Sequence, residues 1–264
     1  FELKSFFDTP QRKSQMPVIW QVLKGGDYQG KKLIHLADGI WAKMEQYNYG
    51  EWTQPVLKIV VNPRVFLDGE EGYLGITDQD VLERCFEKFE AFWRSNQVML
   101  TVDDCMVSRA DMCMNLQMSP KFPISGYIDL LRRTPYNQRY ELYQVPNPQD
   151  ALHYVGFTNR RNRLCIYDKA YEQRRFSMAR ASRCPNLLRI ELQMYRNSLW
   201  KVQVEQNIFE SKDLLRHLVR LSPNLICQAI SRILVQGTYV GPEEIMNRIR
   251  GNGAFHGRTK EEMQ

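Results

Sequence analysis

Several protein classes are excluded by what this 264-residue chain lacks. Its six cysteines (85, 105, 113, 165, 184 and 227) form no Cys-x-x-Cys pair and no framework spacing. That excludes a disulfide-stapled module and reads as reduced thiols of a cytosolic protein. No apolar run approaches the roughly 20 residues needed to cross a bilayer as a helix. There is no internal repeat and no low-complexity linker. No secretory signal pattern is visible, although the chain opens at Phe1 without a Met, which leaves room for a segment upstream. Excess glycine and proline are also missing (15 and 12), and with 43% apolar residues wholesale disorder is excluded.

Charge, by contrast, is concentrated. The chain carries +6 in total, yet the stretch 160–201 holds eleven Lys or Arg against three acids, so the remainder is slightly acidic. A local excess of this kind suits a polyanion partner better than a sequence pI near 9 does by itself.

Periodicity predicts a mixed α and β chain. Strand-like runs fall at 18–23, 31–36 and 55–61, with Gly25-Gly26-Asp27 and Gly30 as turn residues, which reads as an antiparallel meander. A helix is predicted from Thr77, capped there and favoured by Asp78 and Asp80. Its apolar face is Leu82, Cys85, Phe86, Phe89 and Trp93, an aromatic stripe that reads as core. Two strand pieces surround Asp103-Asp104 within 98–117, a short helix covers 124–133, and a strand covers 140–145. Runs 151–157 and 163–168 flank the polar turn 158–162 and read as a hairpin; 187–194 is a further strand, with 170–183 helical at first. Helices are predicted at 198–206, at 210–221 and from Ser222, the last with Pro223 at its first position and Gly237 at its end.

Three places bear chemistry. In the strand from Met106 to Leu116, Arg109, Asp111 and Cys113 share one face. Charges there must be paired, metal-bound or at the sheet end, because unpaired buried charge is costly. In the hairpin, Tyr167 is followed by Lys169, and His153 lies at its start. A lone strand histidine is more often packed than ligating, but it is kept as a candidate metal ligand. In the third strand, Arg189 and Glu191 share a face. A tyrosine that attacks a phosphodiester needs help, since its free pKa is near 10. Carboxylates holding a divalent cation supply it, as do lysine and arginine. The arginines 160, 161 and 163 would hold the phosphate backbone beside such a site.

Tyr154-Val155-Gly156 followed by Asn162-Arg163-Leu164-Cys165-Ile166-Tyr167-Asp168-Lys169 resembles the active-tyrosine hairpin of rolling-circle replication initiators. These include Rep-trans plasmid initiators, related conjugative relaxases and the gene II replication proteins of filamentous phages. Arg109-Ala110-Asp111 before the hairpin and Arg189-Ile190-Glu191 after it stand where those proteins carry Arg-x-Asp and Arg-x-Glu strands. Asn62-Pro63-Arg64 after an apolar strand resembles the phage members. The resemblance covers roughly 55–196. Phe157-Thr158 stands where a small Ser usually follows the hairpin glycine, Asn115 replaces a second acid, and no His-hydrophobe-His pair exists.

The resemblance implies an HUH-like, metal-dependent nickase that forms a 5′-phosphotyrosine and frees a 3′-OH for a polymerase. Tyr167 would be the nucleophile, with Lys169 and Arg189 supporting the phosphate. Asp111 and Glu191 would be ligands of Mg²⁺ or Mn²⁺. His153 as a further ligand, and Arg160, Arg161, Arg163 and Arg109 as DNA contacts, are expectations from the residues alone. Partners would be single-stranded or hairpin origin DNA and a host helicase and polymerase, with a homodimer as an option, in the cytoplasm of a bacterial host. The fold class expected is α+β: a large antiparallel sheet, HUH-like or RRM-like, with helices packed on one face and a helical C-terminal part. Residues 1–196 would form the nickase domain, in two β-β-α-β halves, 197–250 the helical part and 251–264 a flexible tail. Alternatives are a mobilisation relaxase, which differs in its origin, and a non-enzymatic basic DNA-binding protein. A tyrosine recombinase, from the order His217, Arg220, Tyr239, is set aside because the arginine-bearing helical context is missing.

Overall fold

Alternation with a period of two builds most of this molecule, because each strand must hide one face and wet the other. The computed structural model describes residues 1–23, 33–49, 52–69, 78–121, 123–143, 145 and 149–234. In chain order these form β1 (Glu2–Phe6), α1 (Pro10–Ser14), α2 (Met16–Val22), β2 (Ile34–Ala37), β3 (Ile40–Tyr49), β4 (Trp52–Val61), α3 (Pro63–Asp68) and α4 (Gln79–Ser95). Then follow β5 (Met106–Gln117), α5 (Ile124–Arg133), β6 (Glu141–Leu142), β7 (Tyr154–Thr158), β8 (Asn162–Asp168), α6 (Lys169–Arg174), α7 (Met178–Ser182), β9 (Leu187–Tyr195), α8 (Arg196–Gln206) and α9 (Ser211–Ile233).

The strands form one nine-stranded sheet in the order β2-β3-β4-β1-β5-β9-β8-β7-β6, every pairing antiparallel. The expected α+β class with a large antiparallel sheet and a C-terminal helix is what the chain adopts. Two hairpin–helix–strand units meet at its centre. One runs β3-β4-α4-β5 and the other β7-β8-α6-α7-β9, and β5 pairs with β9. Short β1 inserts between β4 and β5.

One sheet face is apolar. Leu3, Ala42, Ile59, Ala110, Met112, Leu164, Ile166, Ile190 and Leu192 are buried there. Helices α8 and α9 pack on β5 and β9, α5 packs on β7 and β8, and α4 meets α9. The stripe Leu82, Cys85, Phe86, Phe89 and Trp93 on α4 is wholly inside, as its spacing predicts. The other sheet face carries Glu2, Lys4, Lys43, Glu45, Lys58, Arg109, Asp111, Arg163, Tyr167, Arg189 and Glu191, placed there by the register.

The structure corrects several element assignments. The run 18–23 is helical, with Pro17 in the first turn of α2 and Ile19 and Leu23 buried one helical turn apart. Tertiary burial outweighs the β-branched composition. The predicted strand piece before Asp103 is not a strand; Asp104 instead closes a turn by accepting from Thr101 N and Oγ1. Strand 140–145 shrinks to Glu141–Leu142. The helix start expected at Ser222 does not exist: α9 runs through Pro223, since its buried face (Leu214, Leu215, Leu218, Ile226, Ile233) continues across it. The turn at Gly25–Gly30, the cap at Thr77, Gly237, Tyr239 and the tail 251–264 lie outside the described residues; Asp78 caps α4. All six cysteines are free thiols.

Candidate active site

Register decides which side chains meet. On the polar face Tyr167 lies opposite Arg189, Arg189 opposite Asn115, Glu191 between Cys165 and Cys113, and Gln193 between Arg163 and Asp111. Asp111 and Glu191 are therefore diagonal neighbours on adjacent strands. Tyr167, Lys169, Arg189, Glu191, Asp111 and Arg109 line one cleft of about 720 Å³.

Tyr167 Oη donates a hydrogen bond to Glu191 Oε2 at 3.1 Å. Glu191 Oε1 accepts from Gln193 Nε2 at 2.7 Å. Burial, and then the charge of Glu191, hold the Tyr167 phenol well above its ordinary pKa. The phenol is thus a proton donor at neutral pH, with its acceptor already in place.

Two cations are sunk beside it. Lys169, 4% exposed, donates to Glu172 Oε2 at 2.7 Å. Burial, and then the positive Arg189, lower its pKa. Arg189, 6% exposed, donates through Nε to Asn115 Oδ1 at 2.8 Å. Asp168 ends the strand by capping α6, accepting from Tyr171 N, which turns Lys169 inward directly after the tyrosine strand.

Arg109 grips Asp111 with two bonds, Nε to Oδ1 at 2.6 Å and Nη2 to Oδ2 at 2.7 Å. The ion-pair reading of this strand is the one realised. Each oxygen of Asp111 and Glu191 keeps a lone pair beyond these bonds. Mg²⁺ is commonly held by one or two carboxylates plus water and substrate phosphates, so this pair fits an ion of that kind. Among the described residues no group of three or more His, Cys, Asp and Glu side chains could hold a metal. His153 does not line this cleft: its Nδ1 lies 3.4 Å from Asp168 Oδ2, and its ring stacks on Tyr171 with centroids 3.7 Å apart.

The hairpin arginines are also placed differently from the expectation that they flank the cut. Arg160 and Arg161 lie exposed in the turn, six residues from Tyr167 along β8, roughly 20 Å at strand rise. Asn159 organises that turn, accepting from Arg161 N and Asn162 N at 2.8 Å each. Arg163 lies over the Tyr143 ring, 3.6 Å from its centroid. Arg109 alone of the four lines the cleft.

Gln193 and Glu172 escaped the sequence reading, and Asn115, noted there only in place of a second acid, holds Arg189. Gln193 was within reach, being two positions from Glu191 on the same strand face. Glu172 was too, one helical turn from Lys169. Asn115 needed the β5–β9 register. On the recombinase order, His217 Nδ1 contacts Arg220 within α9, and His217 is buried.

The fold and site define a class: an α+β protein whose antiparallel sheet displays a tyrosine, carboxylates and guanidinium groups on one face. The family model for the N-terminal part of the gene II replication-associated protein matches residues 18–221, and the chain belongs to that family. The match extends beyond both ends of the 55–196 stretch and bears out the resemblance to rolling-circle initiators of the gene II kind. No curated protein and no solved structure matches the chain. Among the described residues no helix is long and apolar enough to cross a membrane.

Proposed function

We propose that the chain starts rolling-circle replication by nicking and rejoining one strand of origin DNA through Tyr167. The observation that carries this reading is the hydrogen bond from Tyr167 Oη to Glu191, beside the two buried cations Lys169 and Arg189. Glu191 takes the phenolic proton as Tyr167 Oη attacks phosphorus. The Oη–P bond forms and the P–O3′ bond breaks. The 3′ oxygen takes up a proton from solvent and leaves as a hydroxyl, and Glu191 returns its proton to solvent, so no net proton is released. Lys169 and Arg189 stabilise the charge that gathers on the phosphate oxygens. A divalent cation, Mg²⁺ or Mn²⁺, would be held by Asp111 and Glu191 and would stabilise phosphoryl charge when bound. Gln193 and Asn115 fix the carboxylate and the guanidinium, and rejoining is the reverse reaction.

The test is a covalent-adduct assay with labelled single-stranded DNA from the origin of the element that encodes the chain. Wild type with Mg²⁺ or Mn²⁺ is expected to give a denaturant-resistant protein–DNA adduct, lost in Tyr167→Phe and in EDTA. DNA binding without an adduct under any metal would instead support a non-enzymatic DNA-binding protein.

A further inference from the structure

Between the strand that carries Tyr167 and the strand that carries Glu191 the chain makes α6 and α7, and the turn joining them is part of the cleft wall. Phe176 sits in that turn with 66% of its surface exposed, yet it lines the same cleft as Tyr167, Lys169, Arg189 and Glu191. Its backbone is pinned: Phe176 N and Ser177 N both donate to Gln173 O at 3.0 Å. Gln173 is buried and donates to Glu172 Oε2, the carboxylate that holds Lys169. The ring is therefore presented by the same network that positions a cation of the site. Arg174 and Arg175 precede it, Arg180 and Arg183 follow it, and Arg180 lines the cleft. The other strongly exposed aromatics among the described residues, Trp200 and Phe209, belong to α8 and the residues after it and line no part of this cleft.

An exposed ring set among basic side chains is the arrangement by which proteins hold single strands, phosphates by charge and bases by stacking. We infer that Phe176 is a base-stacking platform. It takes the base of a nucleotide adjoining the phosphate attacked by Tyr167, while Arg180 faces the backbone beside it. This rests on the nuclease reading above.

The test measures equilibrium binding of the full chain to two fluorescein-labelled oligomers about 15 nucleotides long, within the reach of one binding site. One is oligothymidylate and the other is abasic throughout. Phe176→Ala is expected to weaken oligothymidylate binding by about fivefold or more. It leaves abasic binding and the salt slope unchanged, and Phe176→Trp restores the loss. Equal loss on both oligomers, or loss on neither, overturns the inference. So does a change in sedimentation from dimer to monomer in Phe176→Ala, which would assign the ring to self-association. A wild type that binds neither oligomer and forms no adduct overturns the nuclease reading and this inference together. A wild type that forms the Tyr167 adduct while Phe176→Ala binds like it overturns this inference alone.

Discussion

At the scale of single residues, the site is a phenol that cannot ionise unaided. Burial and the charge of Glu191 both raise the Tyr167 pKa, so phenolate is scarce at neutral pH, and in the proposed reaction the neighbouring carboxylate takes the proton. Glu191→Gln keeps the shape and removes both the base and one carboxylate of the proposed cation site, and is expected to slow adduct formation by about 10²-fold or more with metal-free DNA binding intact. Its residual rate should climb about tenfold per pH unit between roughly pH 7 and 9, since phenolate is then the only nucleophile. The wild-type profile should be shallower, and single-turnover rates across that range check both. Much of this was legible in the sequence, because Arg109/Asp111 and Arg189/Glu191 are i, i+2 pairs and a strand puts such pairs on one face. That Asp111 is clamped by Arg109 through both oxygens, and that His153 turns to Asp168 and Tyr171, was not legible. Those outcomes depend on rotamers and on where α6 lands.

Among the elements, the β7–β8 hairpin does the positioning. Tyr154 pairs with Tyr167 across the ladder, their rings stacked with centroids 6.2 Å apart, and Tyr154 Oη donates to Cys165 Sγ at 3.0 Å. Gly156 makes that packing possible, since a Cβ there would meet Tyr154 Oη at 2.7 Å and Tyr143 Cβ at 3.2 Å. Gly156→Ala is expected to displace the Tyr154 ring and cut the adduct rate several-fold. The fold should be kept, because the nearest obstructing atoms are the far end of the Tyr154 side chain, whose shift costs about 1–3 kcal/mol. Circular dichroism beside the adduct assay separates the two effects. The hairpin was readable from alternation and turn residues, as was α4 from its aromatic stripe. Helix α2 was not, because Val18-Ile19-Trp20 is strand-like locally and only the burial of Ile19 and Leu23 in the core decides otherwise. The unbroken α9 was not readable either, since Pro223 at a helix start and Pro223 inside a helix look alike until the buried face is known.

At the scale of the whole molecule, one sheet separates two jobs. Its apolar face carries α5, α8 and α9, and its polar face carries the candidate site with α6 and α7 beside it. Ion pairs at the periphery tie α9 to α4 and α1 to the turn before β5. Arg216 binds Glu83 through two bonds, lowering the Glu83 pKa. Asp104 is also below its ordinary value: burial acts against this, but hydrogen bonds from Thr101 and Arg12 outweigh it. As pH falls, the unfolded chain binds these protons first. The stability they contribute is therefore complete above the ordinary carboxylate range and is lost as pH falls through the folded values. Urea midpoints are expected to drop below roughly pH 4.5, and to drop less steeply in a Glu83→Gln, Asp104→Asn double variant.

Mapping the adduct shows whether Tyr167 is the residue joined to DNA. Trapped protein–DNA complex would be digested with nuclease and protease, and the nucleotide-bearing peptide sequenced by mass spectrometry. The account predicts a single modified peptide with the nucleotide on Tyr167. A nucleotide on Tyr154, Tyr171 or any other side chain would contradict it.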